Sequence, residues 1–217
     1  VFIHSCVWLS LSLNATAQTI TSVQPRTGKP GQVLQLKVQG TELNDSLRLA
    51  STGEFLNWQV EKVEPTQAFI ALTIAEDAPL GPARLWLTSG SGVVHSHLLF
   101  LDDLDAVSDG GNNHTRETAQ AVSTRSTVEG FCDASVSDFY KIHPQAGERV
   151  AFEVNTQQLR SSMDPVLRLL NAAGQRLMEA DDTSVGPDCK FAYHFAEEGD
   201  YWVEVQDSRN GAAGQSY

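Results

Sequence analysis

Polar and apolar residues alternate along most of this chain. In the stretch QVLQLKVQG, residues 32–40, Val33, Gln35 and Lys37 fall on one side and Leu34, Leu36 and Val38 on the other. A period of two is the signature of a strand that buries one face and wets the other. The same reading predicts strands over 46–50, 55–64, 68–74, 83–89 and 93–101. After a break it predicts them over 126–131, 138–143, 149–155, 166–170, 190–195 and 200–206. Between these runs sit turn-forming clusters such as TGKPG, STGE, EDAPLGP, SGSG, PQAGE, NAAGQ and EEGD. The segment HTRETAQAV fits one short helical turn or an extended lead-in, and nowhere is a helical period sustained. Short strands at this spacing predict an all-β chain of two antiparallel β-sandwich domains in tandem, at 18–101 and 114–217. The break itself, DDLDAVSDGGNN at 102–113, is acidic and rich in Gly and Asn, and reads as an inter-domain linker.

Charge sharpens this division. Residues 18–101 carry 6 basic and 7 acidic side chains, a net of −1, whereas residues 102–217 carry 9 and 20, a net of −11. An acidic balance of this kind argues against nucleic acid as a partner, because phosphate binding needs clustered Lys and Arg. It is compatible with calcium or with a plainly solvated surface.

The N-terminal run VFIHSCVWLSLSL is too short to span a bilayer. The small-x-small triplet Ala15-Thr16-Ala17 follows it, the form of a signal-peptidase site. Residues 1–17 are therefore expected to be a signal peptide, with Gln18 as the mature start, no transmembrane span in the mature chain, and export to the periplasm, cell surface or medium. A buried first strand is the alternative. Cleavage would leave Cys132 and Cys189 as the remaining thiols. In an exported chain a pair of cysteines favours a disulfide, here closing 56 intervening residues and contributing roughly 4 kcal/mol on the chain-entropy model. Two separate buried thiols are the other possibility.

Two family resemblances add to this reading. In ITSVQPRTGKPGQVLQLKVQGTEL, residues 20–43, the positions Ile20, Val23, Pro25, Gly28, Gly31, Gly40 and Leu43 fit the frame of IPT/TIG immunoglobulin-like domains, which this region resembles. APLGPARLWLTSGSG at 78–92 looks like that family's later strand and hairpin. The resemblance implies a spacer or adhesion module. From residue 112 onward the chain resembles the bacterial pre-peptidase C-terminal domain. The matching positions are Gly130, Asp138, Phe139, Ala146, Gly147, Asp164, Pro165, Leu167, Gly174, Asp181, Asp182, Gly199, Tyr201 and Val205. That family continues past a Gly-Gly-x-Tyr turn with a final apolar strand. The resemblance thus implies a fragment whose second sandwich lacks its last strand.

Candidate chemistry is sparse. There is no Gly-x-Ser-x-Gly or His-Glu-x-x-His, and no His lies in a recognisable nucleophile context, so no catalytic constellation is expected in this chain. His95 and His97 would share a strand face, as two surface residues or, less readily, as a metal pair. Trp58, Trp86 and Trp202 lie on predicted strands, where core packing or a ligand face could use them. SDGGNN offers Asp109, Asn112 and Asn113, and CDASVSD offers Asp133 and Asp138. Collagen-binding relatives of the second family use a linker and a nearby acidic loop for calcium, so the resemblance implies a calcium site at these five residues. The expectation is an exported, non-catalytic binding or spacer module whose partner is an extracellular protein or polysaccharide. An accessory region of a secreted hydrolase, such as a peptidase, whose catalytic domain lies outside this chain is the alternative.

Overall fold

The computed structural model of this chain describes residues 18–88, 92, 94–133, 136–157, 159, 161–182, 186, 188–209 and 215–217. The expected signal peptide, and all of the SGSG turn except Gly92, lie outside these. The described residues form strands and turns with no helix, an all-β architecture.

In the first half, β1 (Thr19–Gln24), β3 (Val33–Thr41), β6 (Gln67–Ile74) and β5 (Leu56–Glu64) make one antiparallel sheet in the order β1-β3-β6-β5. A second sheet, β2-β8-β7-β4, is built from β2 (Thr27–Gly28), β8 (Val94–Leu101), β7 (Gly81–Thr88) and β4 (Arg48–Ser51). Alternation is obeyed: Leu34, Leu36 and Val38 are buried while Val33, Gln35 and Lys37 are exposed. Ile70 and Leu72 from the first sheet and Leu85, Leu87 and Leu99 from the second belong to one apolar cluster, so the sheets pack face to face.

The second half begins inside the stretch expected to be a linker. β9 (Asp105–Ser108) pairs in parallel with β11 (Ser126–Glu129), aligning Asp105 with Ser126 and Ser108 with Glu129. The acidic segment is therefore part of a sheet. HTRETAQAV forms a turn at 115–118, closed by a hydrogen bond from the Thr118 N–H to the Thr115 carbonyl, and leads into β10 (Gln120–Ala121). A five-stranded sheet follows the order β10-β13-β18-β15-β16, using β13 (Asp138–Ile142), β18 (Tyr201–Asp207), β15 (Pro165–Leu170) and β16 (Arg176–Ala180). β15 opens at Pro165, the strand position that tolerates a missing N–H. β12 (Phe131–Cys132) pairs with β19 (Gln215–Ser216), and β14 (Arg149–Val154) pairs with β17 (Cys189–His194). A second buried cluster joins Tyr140, Ile142, Leu167, Leu169, Phe195, Val203, Val205 and Tyr217.

Contacts bind the halves. Lys29 Nζ lies 2.8 Å from Asp105 Oδ1, and the Arg26 N–H donates to the Glu129 carboxylate. Burial raises the Glu129 carboxyl above its usual range, against the opposing pull of Arg26.

Candidate functional site

Polar side chains concentrate where the 102–113 segment meets β13. The Phe139 N–H donates to the Asn113 carbonyl at 2.7 Å, which holds this segment against the strand. On β13 itself Asp138 and Tyr140 are two apart and both buried, so they enter the core from one face. Tyr217 reaches the same place from the far end of the chain. Its ring lies over Gly130, where a Cβ would come within 2.5 Å of it, so only a residue without a side chain leaves the ring room.

These groups form a relay. Tyr140 Oη donates to Asp109 Oδ1 at 3.1 Å, the two tyrosine hydroxyls are 2.5 Å apart, and Tyr217 Oη donates to Asp138 Oδ2 at 2.7 Å. His114 Nδ1 stands 3.2 Å from Asp138 Oδ1, and its Nε2 is 3.8 Å from Asp133. Between the carboxylates of Asp109 and Asp138 there are three oxygen–oxygen contacts and only two hydroxyl protons. Asp138 is the carboxylate at the buried end of this line. Burial raises its carboxyl above the usual range, and the charge of Asp109 adds to this against the hydrogen bond from Tyr217. Burial likewise pushes both tyrosine hydroxyls upward, so they remain neutral donors.

The five residues expected to bind calcium divide accordingly. Asp109, Asp133 and Asp138 are linked through the relay. Asn113 is buried beside Tyr140, and neither its Oδ1 nor its Nδ2 meets hydrogen-bond geometry with a partner. Such an orphaned amide in the interior is costly. Asn112 is exposed and folds back on the Gly110 carbonyl at 3.3 Å, outside the cluster. The donor types, carboxylate and amide oxygen, suit a hard cation, yet Asp109 and Asp138 are held apart by the tyrosine hydroxyls. Among the described residues, Asp164, Asp181 and Asp182 are the acidic group whose ligand atoms all lie within 4.8 Å of one another. Asp164 there already accepts from Arg209 Nε at 2.9 Å and Ser208 Oγ at 2.8 Å.

Other expectations are corrected. Cys132 and Cys189 are free and buried, so the disulfide is not formed. Cys132 Sγ faces the carbonyl of Val136 at 3.4 Å, while Cys189 lies on β17 opposite Val154. His97 is not a surface residue: it is fully buried, with Nε2 3.2 Å from the Pro25 carbonyl. Burial foremost, then the charge of Arg26, pushes it down to about 3. Of the tryptophans, Trp58 is exposed on the edge strand β5. Trp202 donates from Nε1 to the Arg116 carbonyl at 2.9 Å, with Arg116 and Lys141 over its ring. The sequence reading missed Tyr140, Tyr217 and His114 as site members. Tyr140 was accessible through alternation from Asp138; Tyr217 and His114 arrive by long-range packing that no local pattern encodes.

No family model matches the chain, and no curated protein matches it. Among solved structures, a mixed-linkage glucan utilization protein from Bacteroides ovatus in complex with a mixed-linkage heptasaccharide is 11% identical, with a TM-score of 0.28. That match covers 84% of this chain and 34% of the other. The secreted serine protease VesC from Vibrio cholerae is 9% identical over 92% of this chain and 48% of its own, with a TM-score of 0.28. A pullulanase from an Anoxybacillus species, complexed with maltotriose, is 11% identical over 86% and 24%, with a TM-score of 0.25. The chain thus spans about a third of the first of these and about half of the second. Likenesses this distant carry no argument about what the chain does.

Proposed function

We propose that this chain is a non-catalytic binding or spacer module of an exported bacterial protein, with an immunoglobulin-type first half and a pre-peptidase-type second half. The observation that carries this reading is the joint between the halves. β9 turns the acidic segment into part of a sheet, and Lys29–Asp105 and Arg26–Glu129 tie that sheet to the first half. A module joined in this way holds its two halves in a set orientation, which is what a spacer or a presenting scaffold requires.

Calcium belongs to the same reading. Asp109 and Asp138 would supply carboxylate oxygens and Asn113 its unpartnered amide oxygen, with Asp133 nearby through His114. The ion would take the place of the hydroxyl bridge and neutralise charge in the more acidic half. Calcium titration followed by thermal unfolding tests this. A site half-saturated near ten micromolar gives about 2.7 kcal/mol at millimolar calcium, a hundredfold excess, and Asp109→Ala or Asp133→Ala abolishes the rise. An unchanged melting temperature at millimolar calcium removes the metal from the proposal and leaves the scaffold reading standing.

A further inference from the structure

In the first half, the outer face of the β2-β8-β7-β4 sheet carries a patch that the core does not use. On β7, Ala83, Leu85 and Leu87 enter the apolar cluster, so Arg84, Trp86 and Thr88 stand on the opposite face. The pairing sets their neighbours. Trp86 lies between Ala50 of β4 and Ser96 of β8, Arg84 is across from Leu98, and Thr88 is across from Arg48. Small residues on both sides leave the indole standing above the sheet, and Ala50 is exposed. Leu98 is buried on this face and gives the patch an apolar base. Among the described residues no ring or cation stacks on Trp86, whereas Arg116 and Lys141 both lie over Trp202.

Both arginines of the patch are fixed yet uncompensated. Arg84 Nη1 donates to Ser96 Oγ at 2.8 Å, and Arg48 Nη1 donates to the carbonyls of Asp45 and Leu47, each at 2.8 Å. All three acceptors are neutral. Arg125, Arg168, Arg176 and Arg209 each reach a carboxylate. Among the described residues neither Arg48 nor Arg84 does, although the chain holds 27 acidic side chains against 15 basic ones. The register puts the Arg48 and Arg84 Cα atoms about 14 Å apart, one strand over and four residues along. Arg84 is tied toward β8 and Arg48 back toward residues 45–47, so one carboxylate cannot bridge them. Anions that meet both must sit on different units of a polymer.

We infer, resting on the reading of the chain as a binding module, that this face binds an acidic polysaccharide, a polymer of uronic-acid or sulfated sugars. A pyranose presents an apolar C–H face to the Trp86 indole. Acid groups on neighbouring units meet the Arg48 and Arg84 guanidiniums, whose planar forks suit carboxylate and sulfate. β7 is bonded on both sides, to β4 and to β8, so it offers no spare main-chain groups with which a polypeptide could pair. Recognition there comes from side chains, and an aromatic platform between two cations fits an acidic sugar chain. The unpaired positive charge, in a half of net −1 rather than −11, is the complement such a ligand needs.

The test is calorimetric titration of the full chain with polygalacturonate, alginate and heparin, the first two carrying carboxylates and the third chiefly sulfates. At least one binds, and rising salt weakens it because the contacts are exposed charges. Arg84→Gln keeps a donor for Ser96; it and Arg48→Gln each lower the affinity roughly tenfold or more. Arg125→Gln, which removes an equal charge from the second half, leaves the affinity unchanged. Equal losses from all three variants would mean diffuse attraction and overturn the site. Trp86→Ala removes the platform and weakens every polymer that binds; unchanged affinity overturns the inference. Should that variant fold poorly, fully methyl-esterified polygalacturonate on the unaltered chain keeps the sugar ring without its charge and must bind roughly tenfold more weakly or less. Polyglutamate bound as tightly as the acidic sugars would assign the patch to an acidic polypeptide and overturn the ligand class. Binding of none of the three polysaccharides overturns the inference and leaves the scaffold reading standing. Release of reducing ends on mixing would do the reverse, removing the non-catalytic reading while the site stands.

Discussion

The two halves of this protein solve the same problem with different materials. In the first, two four-stranded sheets close on a core of Leu, Ile, Val and Ala, and the largest fully buried side chains include Leu36, Ile70, Leu72, Leu85, Leu87 and Leu99. In the second, one five-stranded sheet faces separate two-stranded pieces, and the interior holds two aspartates, two tyrosines, two thiols and linked aromatics. Phe195 meets both Tyr193 and Tyr201 edge-on, with ring centroids 5.0 and 4.7 Å apart. Aliphatic cores are specified by volume alone. Polar–aromatic ones are specified by hydrogen-bond partners as well, so each member depends on particular others.

The sharpest way to separate the two is truncation. Leu85 is fully buried at the centre of the first core, so Leu85→Ala should cost roughly 2–5 kcal/mol through lost burial and a cavity. Val150 lines a cavity of about 550 Å³ in the second half. Val150→Ala should therefore cost clearly less, about 1 kcal/mol. Denaturant unfolding of both variants checks the ordering, and equal losses would mean that the cavity beside Val150 is filled in solution.

Acid probes the first half through His97. Its folded-state value, pushed down to about 3, lies below the ordinary imidazole range. Between about pH 6.5 and 3 the unfolded chain takes up a proton that the folded chain refuses. The contribution of His97 is therefore fully present above pH 6.5 and is lost as the pH falls, by up to about 1.4 kcal/mol per unit. Gln at this position keeps a donor for the Pro25 carbonyl and does not titrate. The difference in unfolding free energy between the parent and His97→Gln should shrink steadily from pH 7 to 4. Glu129, raised by burial, has the opposite sign, favouring the folded state on the acid side and losing that contribution as pH rises.

How much of this was legible follows the same line. Alternation located nearly all the long strands to within a residue or two, because one-sided burial writes itself into the sequence with period two; β7 was expected at 83–89 and runs Gly81–Thr88. It failed at β9, whose DAVS carries one inward valine in an acidic context and is a strand only because β11 offers it an edge. His97 misled for a related reason: a polar side chain on an apolar face was assigned to solvent, whereas the Pro25 carbonyl lets it stay inside. The acidic residues Asp109, Asp133 and Asp138 were legible by composition. Their linkage through Tyr140 and Tyr217 was not, since those residues stand 77 positions apart.

A local test of the polar core uses Gly130. A methyl group there would meet the Tyr217 ring at 2.5 Å, far inside contact distance. Gly130→Ala must displace the ring, break the hydroxyl relay and strip the Gly130–Tyr217 bonds, at a cost of about 1–3 kcal/mol. Combining it with Tyr217→Ala should cost much less than the sum of the two, because the clash disappears with the ring. Additive losses would show that Gly130 matters for its backbone alone.

The smallest effect concerns the thiols, and it discriminates between burial and bonding. Burial pushes Cys132 up to about 11 and Cys189 up to about 12, with neighbouring carboxylates adding to both. At pH 8 about one in a thousand thiols of value 11 is ionised, and the thiolate is the reactive form. Both should therefore resist a disulfide-exchange reagent in the folded chain and react in full on unfolding, with a change in stability near zero before exposure. Faster reaction of Cys132 than Cys189 is the expected order, since its value is lower and its strand, β12, lies at the edge of the second core rather than within β14–β17. A chain in which neither Cys132 nor Cys189 titrates even when unfolded without reductant would carry the Cys132–Cys189 bond after all. That bond would require the Val136 carbonyl, two residues before Asp138 of the polar core, to release Cys132, next to Asp133.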